Sequence, residues 1–355
     1  MKDYLKVKIQ KSNLEQYLTL DYGSGGRKMH RLIRELFYKY FHNPILAKFE
    51  DAAELKLLSN RPDVCFTIDS YVVQPLFFPG GDIGKLSICG TINDLAVKGA
   101  KPLYIAISFV IQEGINLKTL EKICFSIAKI AKTVNVPIVT GDTKVIEKRS
   151  YNEEIIITTC GIGKILKHFQ NPTLNAKNIR QGDIVIINGQ IGDHEASIIL
   201  ARSEYDFKAN VKSDCVSLYS LIETLAQNKC NIKMMRDPTR GGLATTLNEI
   251  ADAANLGIII DEKLIPIQNS VKGICEILGF DPLYLANEGK VVIIADAKDS
   301  QRILKIMKKH PLGKHSAIIG KITERKYGIG VWLNTKIGSQ RPIIQLEGLQ
   351  IPRIC

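Results

Sequence analysis

Apolar and polar positions follow one another along the chain in blocks whose periods switch between two and about 3.6, so short strands and amphipathic helices are interleaved. Residues 1–20 are lysine-rich and unpatterned. Tyr22-Gly23-Ser24-Gly25-Gly26 then opens a run with apolar residues at Leu32, Ile33, Leu36, Phe37 and Tyr40, the spacing of a helix entered from a loop. A strand is predicted at 65–73, followed by the turn-rich Pro75-Leu76-Phe77-Phe78-Pro79-Gly80-Gly81. Asp82 can cap a helix over 83–98 that stops at Gly99, ahead of Pro102. A strand at 103–111, a helix at 117–133 and strands at 137–140 and 155–160 complete the first half.

Residues 167–182, with Asn171-Pro172 and Gln181-Gly182, read as a linker. Beyond it the pattern restarts: strand 184–188, helices 194–202, 216–228 and 243–255, strands 258–260 and 291–295, helix 300–310, and closing strands near Ile318 and Val331. Two α/β domains of similar size are expected, over 21–165 and 166–335, after an N-terminal extension 1–20. From residue 336 onward Gly338, Pro342, Gly348 and Pro352 exclude a helix, while Ile343, Ile344, Leu346, Leu349, Ile351 and Ile354 are too apolar for a solvated end. An extended tail, 336–355, that docks on the body is therefore expected. No tandem repeat of fixed period is visible.

Composition narrows the class. With 355 residues, 45% hydrophobic and 24% charged, the chain carries ample material for a core. The longest apolar run, 103–111, suits a buried strand and is far short of a membrane span, and no apolar stretch follows the N-terminal lysines, so a cytoplasmic protein is expected. The formal charge is +12, but the lysines are spread over the whole length instead of forming a stripe, which favours a generally basic surface over nucleic-acid binding. Of the eight cysteines, seven stand singly in apolar segments and read as small buried hydrophobes; Cys355, the last residue, is the exception.

Several motifs can carry chemistry, each with a plain structural alternative. Gly23 to Gly26 can present backbone N–H groups to an anion, or form an ordinary turn. Residues 80–86 fail as a phosphate loop because Pro79 and Leu86 stand where glycine and a hydroxyl are needed. His194-Glu195 lacks the second histidine of a zinc protease helix. Asp69, Asp94 and Asp142 follow or interrupt apolar runs, either as turn caps and surface groups or as three carboxylates converging on an oxygen-loving cation. Arg236-Asp237-Pro238-Thr239-Arg240-Gly241-Gly242 precedes a helix, as an anion cradle or as a turn with an Asp–Arg pair. Glu288, in Asn287-Glu288-Gly289-Lys290 at the mouth of a strand, is a candidate base or one member of a strand-edge ion pair.

Taken together, these stretches resemble the hydrogenase maturation factors of the aminoimidazole ribonucleotide synthetase-like (PurM-like) ATP-dependent superfamily. The match includes Gly23-Ser24-Gly25-Gly26, residues 67–73 and 75–81, residues 83–96, Val139-Thr140-Gly141-Asp142-Thr143-Lys144-Val145, Gly192-Asp193-His194, residues 236–242, residues 286–290 and the terminal Pro352-Arg353-Ile354-Cys355. It runs in order from about residue 20 to the end. The resemblance implies two-domain PurM-like α/β (α+β) architecture, with mixed sheets and flanking helices, working as a homodimer with ATP near the dimer interface. It further implies that a carbamoyltransferase, HypF, loads Cys355, that ATP-dependent loss of water yields a thiocyanate, and that the cyano group passes to iron on a HypC–HypD scaffold. Residue by residue it places Gly23, Ser24, Gly25, Gly26, Lys85, Asn93 and Thr143 on nucleotide, Asp69, Asp94 and Asp142 on Mg2+, Lys144 at the γ-phosphate and Glu288 as the base. The rival readings are a selenophosphate or thiamine-phosphate type kinase of the same fold, and a non-catalytic basic scaffold. A selenophosphate enzyme wants a reactive cysteine by the glycine loop, and Gly23 to Gly26 has none.

Overall fold

In the computed structural model, residues 18–57, 62–148, 154–170, 172–202, 209–346 and 348 are described. The glycine loop leads into α1 (Arg27–Leu32), a π turn and α2 (Tyr38–Phe41). The first sheet is built from β1 (Ala53–Leu55), β2 (Val64–Tyr71), β5 (Ala100–Gln112), β6 (Ile138–Ile146) and β7 (Ile155–Ile165), in the order β1-β2-β7-β5-β6, after a small hairpin β3 (Phe77–Phe78) and β4 (Gly81–Asp82). All its pairings are antiparallel except β5 with β6.

One face of this sheet carries α3 (Ile83–Val97), with α4 (Leu117–Val134) beside it. The Asp82 carboxylate accepts the Gly84 and Lys85 N–H groups and fixes the start of α3. Every residue of α3 except Lys85 is buried, because the helix is covered by its own sheet below and by the second domain above. The opposite face of the sheet is bare, and Phe66, Ile68 and Tyr104 stand exposed on it.

The second sheet has the order β14-β13-β10-β12-β8-β11-β9, from β8 (Ile184–Ile187), β9 (Ile232–Arg236), β10 (Gly257–Asp261), β11 (Val292–Ala295), β12 (Ala317–Thr323), β13 (Val331–Asn334) and β14 (Gln340–Ile343). Around it pack α5 (Asp193–Ala201), α6 (Tyr219–Gln227), α7 (Gly242–Ala254), α8 (Asn269–Leu278) and α9 (Ser300–Lys309). Its central strands read as unbroken apolar runs because both faces are covered: Ile186 and Ile293 join the core shared with α3, while Val185, Ile187, Val292 and Ile294 join a second core under α7.

Most predicted elements occur within a residue or two of their expected ends, and the departures have physical causes. Strand β6 runs on through Asp142, Thr143 and Lys144, because β5 offers it a parallel partner along its whole length. Helix α6 starts at Tyr219 and not at 216, since the Asn93 side chain engages the Val216 carbonyl and the Leu218 N–H. The stretch expected as a linker packs Phe169, Leu174 and Ile179 into the interior. The tail begins as a sheet strand, β14, with Ile343 fully buried; Cys355 and the six residues before it lie outside the described residues. Strand β9 and helix α8 have no counterpart in the sequence reading. Cys124 is exposed and Cys160 half-buried, against the expectation that all seven internal cysteines are buried; both sit on elements with an open side. Among the described residues no helix is long and apolar enough to cross a membrane.

Two glycines in helices make the packing testable. A Cβ at Gly90 would lie 2.3 Å from the Tyr71 hydroxyl, whereas one at Gly273 meets nothing within 4 Å. Gly90→Ala should cost about 1–3 kcal/mol, and Gly273→Ala, in α8, should add about 0.5–1 kcal/mol. Denaturant unfolding of both variants checks the opposite signs.

Candidate active site

Where the first domain meets the second, five carboxylates share one buried space. Asp69 faces α3 from β2, with the Tyr71 hydroxyl 3.3 Å from its Oδ2. Asp94, from the last turns of α3, accepts the Thr67 hydroxyl at 2.8 Å. Asp51 precedes β1, Asp237 follows β9, and Glu288 precedes β11. Burial raises the pKa of Asp69, of Asp94 and of Glu288, and Asp237 reaches about 8 from burial and the neighbouring Asp51. Mutual repulsion adds to each. The charge of Asp69 is the leading one that disfavours ionisation of Asp94.

Two guanidiniums offset part of this charge. Arg236 is buried against Asp51 at 2.6 Å and Glu249 at 3.2 Å. Arg240 acts electrostatically on Asp69 and Glu249 and reaches the Gly23 carbonyl at 3.4 Å. A space with more carboxylates than cations, all oxygen donors, suits a hard divalent cation. Among the described residues no three His, Cys, Asp or Glu side chains already stand at ligating geometry.

The expected metal trio does not converge within one chain. Asp142 pairs with Ser108, which pairs with Thr158, which pairs with Ser70, so it lies three strand spacings, about 14 Å, from Asp69's strand. It also shares the bare face of the sheet with Ser70 and Thr158, while Asp69 faces α3. Asp142 and Lys144 form an exposed pair at 3.1 Å, and this contact lowers the Asp142 pKa. Thr143 is exposed on the same edge strand. In place of Asp142 the structure brings in Asp237 and Asp51. Asp237 stood inside a stretch already singled out for its arginines; Asp51 gave no signal.

The expected nucleotide residues divide. Gly23 to Gly26 lie against Arg240, and a Cβ at Gly25 would stand 3.0 Å from that of Arg240. The loop's N–H groups are partly taken: Ser24 N–H donates to Asp21 O, Gly25 N–H to the Met29 sulfur, and Arg27 N–H to the tail carbonyl of Leu346 at 2.8 Å. Lys85 is half-buried and donates to the Gly80 carbonyl. Asn93 is committed elsewhere: it is 1% exposed and its amide bonds the Val216 and Glu288 carbonyls and the Leu218 N–H. These bonds join α3 to the second domain.

Glu288 sits on a loop held from several sides. Asn287 accepts the Gly192 N–H and donates to the Pro238 carbonyl, and Glu195 accepts the Ala286 N–H. The Glu288 carbonyl receives Asn93. A carboxyl on a loop held in this way, with its pKa raised by burial, is a stronger base than an ordinary carboxylate once it is ionised, and in that form can take a proton from a substrate beside it.

The chain matches the family models of the AIR synthase related protein N-terminal domain over residues 49–165 and C-terminal domain over residues 180–332. It is similar to the carbamoyl dehydratase HypE of Cupriavidus necator, with 42% identity over 338 residues, covering 95% of each chain. Among solved structures it is similar to the HypE chain of a HypE–HypF complex, with 44% identity, a TM-score of 0.82, and coverage of 89% of this chain and 99% of that one. It is also similar to HypE in complex with ATP, with 42% identity, a TM-score of 0.77, and coverage of 96% and 100%.

Glu195 supplies a pH test of this loop. Burial raises its pKa to about 7. Below pH 4.5 neither state is ionised; above it the unfolded chain loses the proton first, so a destabilising contribution accumulates until pH passes about 7. Glu195→Gln lacks that contribution. Its stability relative to the parent protein should rise between pH 4.5 and 8 by on the order of 3 kcal/mol, as read by denaturant unfolding at the two pH values.

Proposed function

The chain belongs to the AIR synthase related family and, within it, to the HypE carbamoyl dehydratases of hydrogenase maturation, and from that premise we propose that it uses ATP to dehydrate a carbamoyl group on its own Cys355. The carbamoyl oxygen takes the γ-phosphoryl group, both N–H protons leave, and the oxygen departs within phosphate, so the thiocarbamate becomes a thiocyanate. Glu288 accepts a proton. The observation that carries the reading is the burial of Glu288, on a loop held by Asn93 and Asp214, beside the cluster of carboxylates. Asp69, Asp94 and Asp237 fit a divalent cation, which when bound neutralises phosphate charge.

The route of the tail supports the same reading. Asn248 donates to the Ile343 carbonyl, Tyr284 to Ile344, Gln345 to the Gly25 carbonyl, and Arg27 N–H to Leu346. The tail is thus strapped to the glycine loop, next to Arg240 and the chamber. From Gly348 the remaining seven residues span up to about 24 Å when extended. On this reading Cys355 alternates between the chamber and a carbamoylating partner. HypF is proposed as that partner, a HypC–HypD iron scaffold as the acceptor of the cyano group destined for [NiFe] hydrogenase, and the cytoplasm as the location.

A homodimer resolves the position of Asp142 and Lys144. Phe66, Ile68 and Tyr104 form an uncovered apolar sheet face whose neighbouring edge carries this pair. Two copies packed through that face present Asp142, Thr143 and Lys144 to each other's nucleotide, with Lys144 at the γ-phosphate.

Two experiments test the proposal. Glu288→Gln should accept the carbamoyl group and bind ATP yet accumulate the adduct without losing water, and Cys355→Ala should gain no adduct while keeping its thermal midpoint; intact mass reads both. Normal water loss in Glu288→Gln removes the base assignment, and an adduct on Cys355→Ala moves the carrier thiol elsewhere. In the second, Asp94→Asn and Asp142→Asn, each inactive alone, should regain ATP-dependent dehydration when mixed and allowed to exchange subunits, because one mixed site is then intact. No recovery places Asp142 outside the partner's site.

A further inference from the structure

Glu288 owes its position to a second carboxylate that no motif marked. Asp214 lies in the segment that crosses from the second domain back to the first, where Ser213 N–H donates to the Pro79 carbonyl at 2.7 Å. Its Oδ1 accepts the Glu288 N–H at 3.1 Å, and its Oδ2 accepts the Gly289 N–H at 3.1 Å and the Lys290 ammonium at 2.8 Å. The side chains of Asp214 and Lys290 are 4% and 11% exposed. A Cβ at Gly289 would lie 2.0 Å from the Asp214 carbonyl, so the two backbones touch and residue 289 admits no side chain. On the other side of the loop, Val216 N–H and the Asn93 amide bond the Glu288 carbonyl.

We infer that Asp214, paired with Lys290, is the positioning residue for Glu288: its carboxylate clamps the 288–289 backbone, holds the base at the chamber, and sets a fixed negative charge beside it. Burial by itself would push the Asp214 pKa up, but Lys290, His194 and the loop N–H donors outweigh it and hold it below the usual range. The ionised carboxylate is in turn the leading charge that raises Glu288, ahead of Asp237 and Asp69. One group thus supplies both orientation and a fixed charge beside the base. A partner of a reacting group held in this way commonly matters about 10–100-fold without touching substrate.

The inference rests on Glu288 being the base, so the test separates the two. Carbamoylated protein is mixed with ATP, and the rate of water loss is followed by intact mass for Asp214→Asn, for Asp214→Asn combined with Lys290→Gln, and for Glu288→Gln. The double variant removes both charges together and leaves no lone buried ion to unfold the protein. Both Asp214 variants should keep the thermal midpoint and, within about twofold, the ATP concentration for half-maximal rate, while the saturated rate falls about 10–100-fold. Parent-like rates in them while Glu288→Gln is stalled overturn the positioning role alone. Parent-like water loss in Glu288→Gln overturns the base and this inference with it. Unfolding of both Asp214 variants, or joint loss of rate and ATP affinity, makes the residue structural and overturns the inference as well.

Discussion

Burial of excess negative charge between the two domains is the constraint on which the rest of the structure depends. Asp51, Asp69, Asp94, Asp237 and Glu288 occupy a space in which Arg236 and Arg240 are the nearest compensating cations among the described residues. Crowding of this kind disfavours the ionised forms, and burial with mutual repulsion raises the pKa of Asp69, Asp94, Asp237 and Glu288. A cluster of carboxylates that resists ionisation has affinity for a cation, and a cation that enters favours the ionised forms. Its cost in stability and its chemistry come from the same crowding.

The packing around it supplies the rigidity that this crowding demands. Helix α3 is buried all round, held to its own sheet and to α4 and bound to the second domain by Asn93 and by Lys98, which pairs with Glu50 and Glu54 and donates to the Leu174 carbonyl. Asp94 cannot move away from the other carboxylates without moving that helix. Loops supply the reacting groups, yet each is tied down: 286–290 by Glu195, Asn287 and Asp214, and the glycine loop by Arg240 and the tail. Because Leu346 occupies the Arg27 N–H, the tail and the glycine loop touch before any substrate arrives.

Much of the architecture was legible in the residues. Asp82 capping α3, Gly99 ending it with φ +71, and the apolar runs of β5, β8 and β11 all follow from local rules, since caps, glycine turns and period-two runs act over a few residues. Strand β9 was missed because Lys233 and Arg236 interrupt its apolar pattern; it pairs with β11, and only that partner makes it a strand. Helix α6 lost its first residues to Asn93, which lies more than a hundred positions away.

The chemistry-bearing residues divide in the same way. The chain alone marked Asp69, Asp94, Glu288 and the Arg236–Gly242 stretch, because charged groups set against apolar runs are costly unless used. Which of them meet was a matter of register and of domain packing: sheet pairing put Asp142 on the bare face and Asp69 under α3, and the second domain delivered Asp237 to the carboxylates and Asp214 to the Glu288 loop. A strand's alternation fixes two faces but not which face will be covered, and a loop's composition does not say which distant backbone it will clamp. Those choices depend on long-range contacts, and only the folded chain makes them.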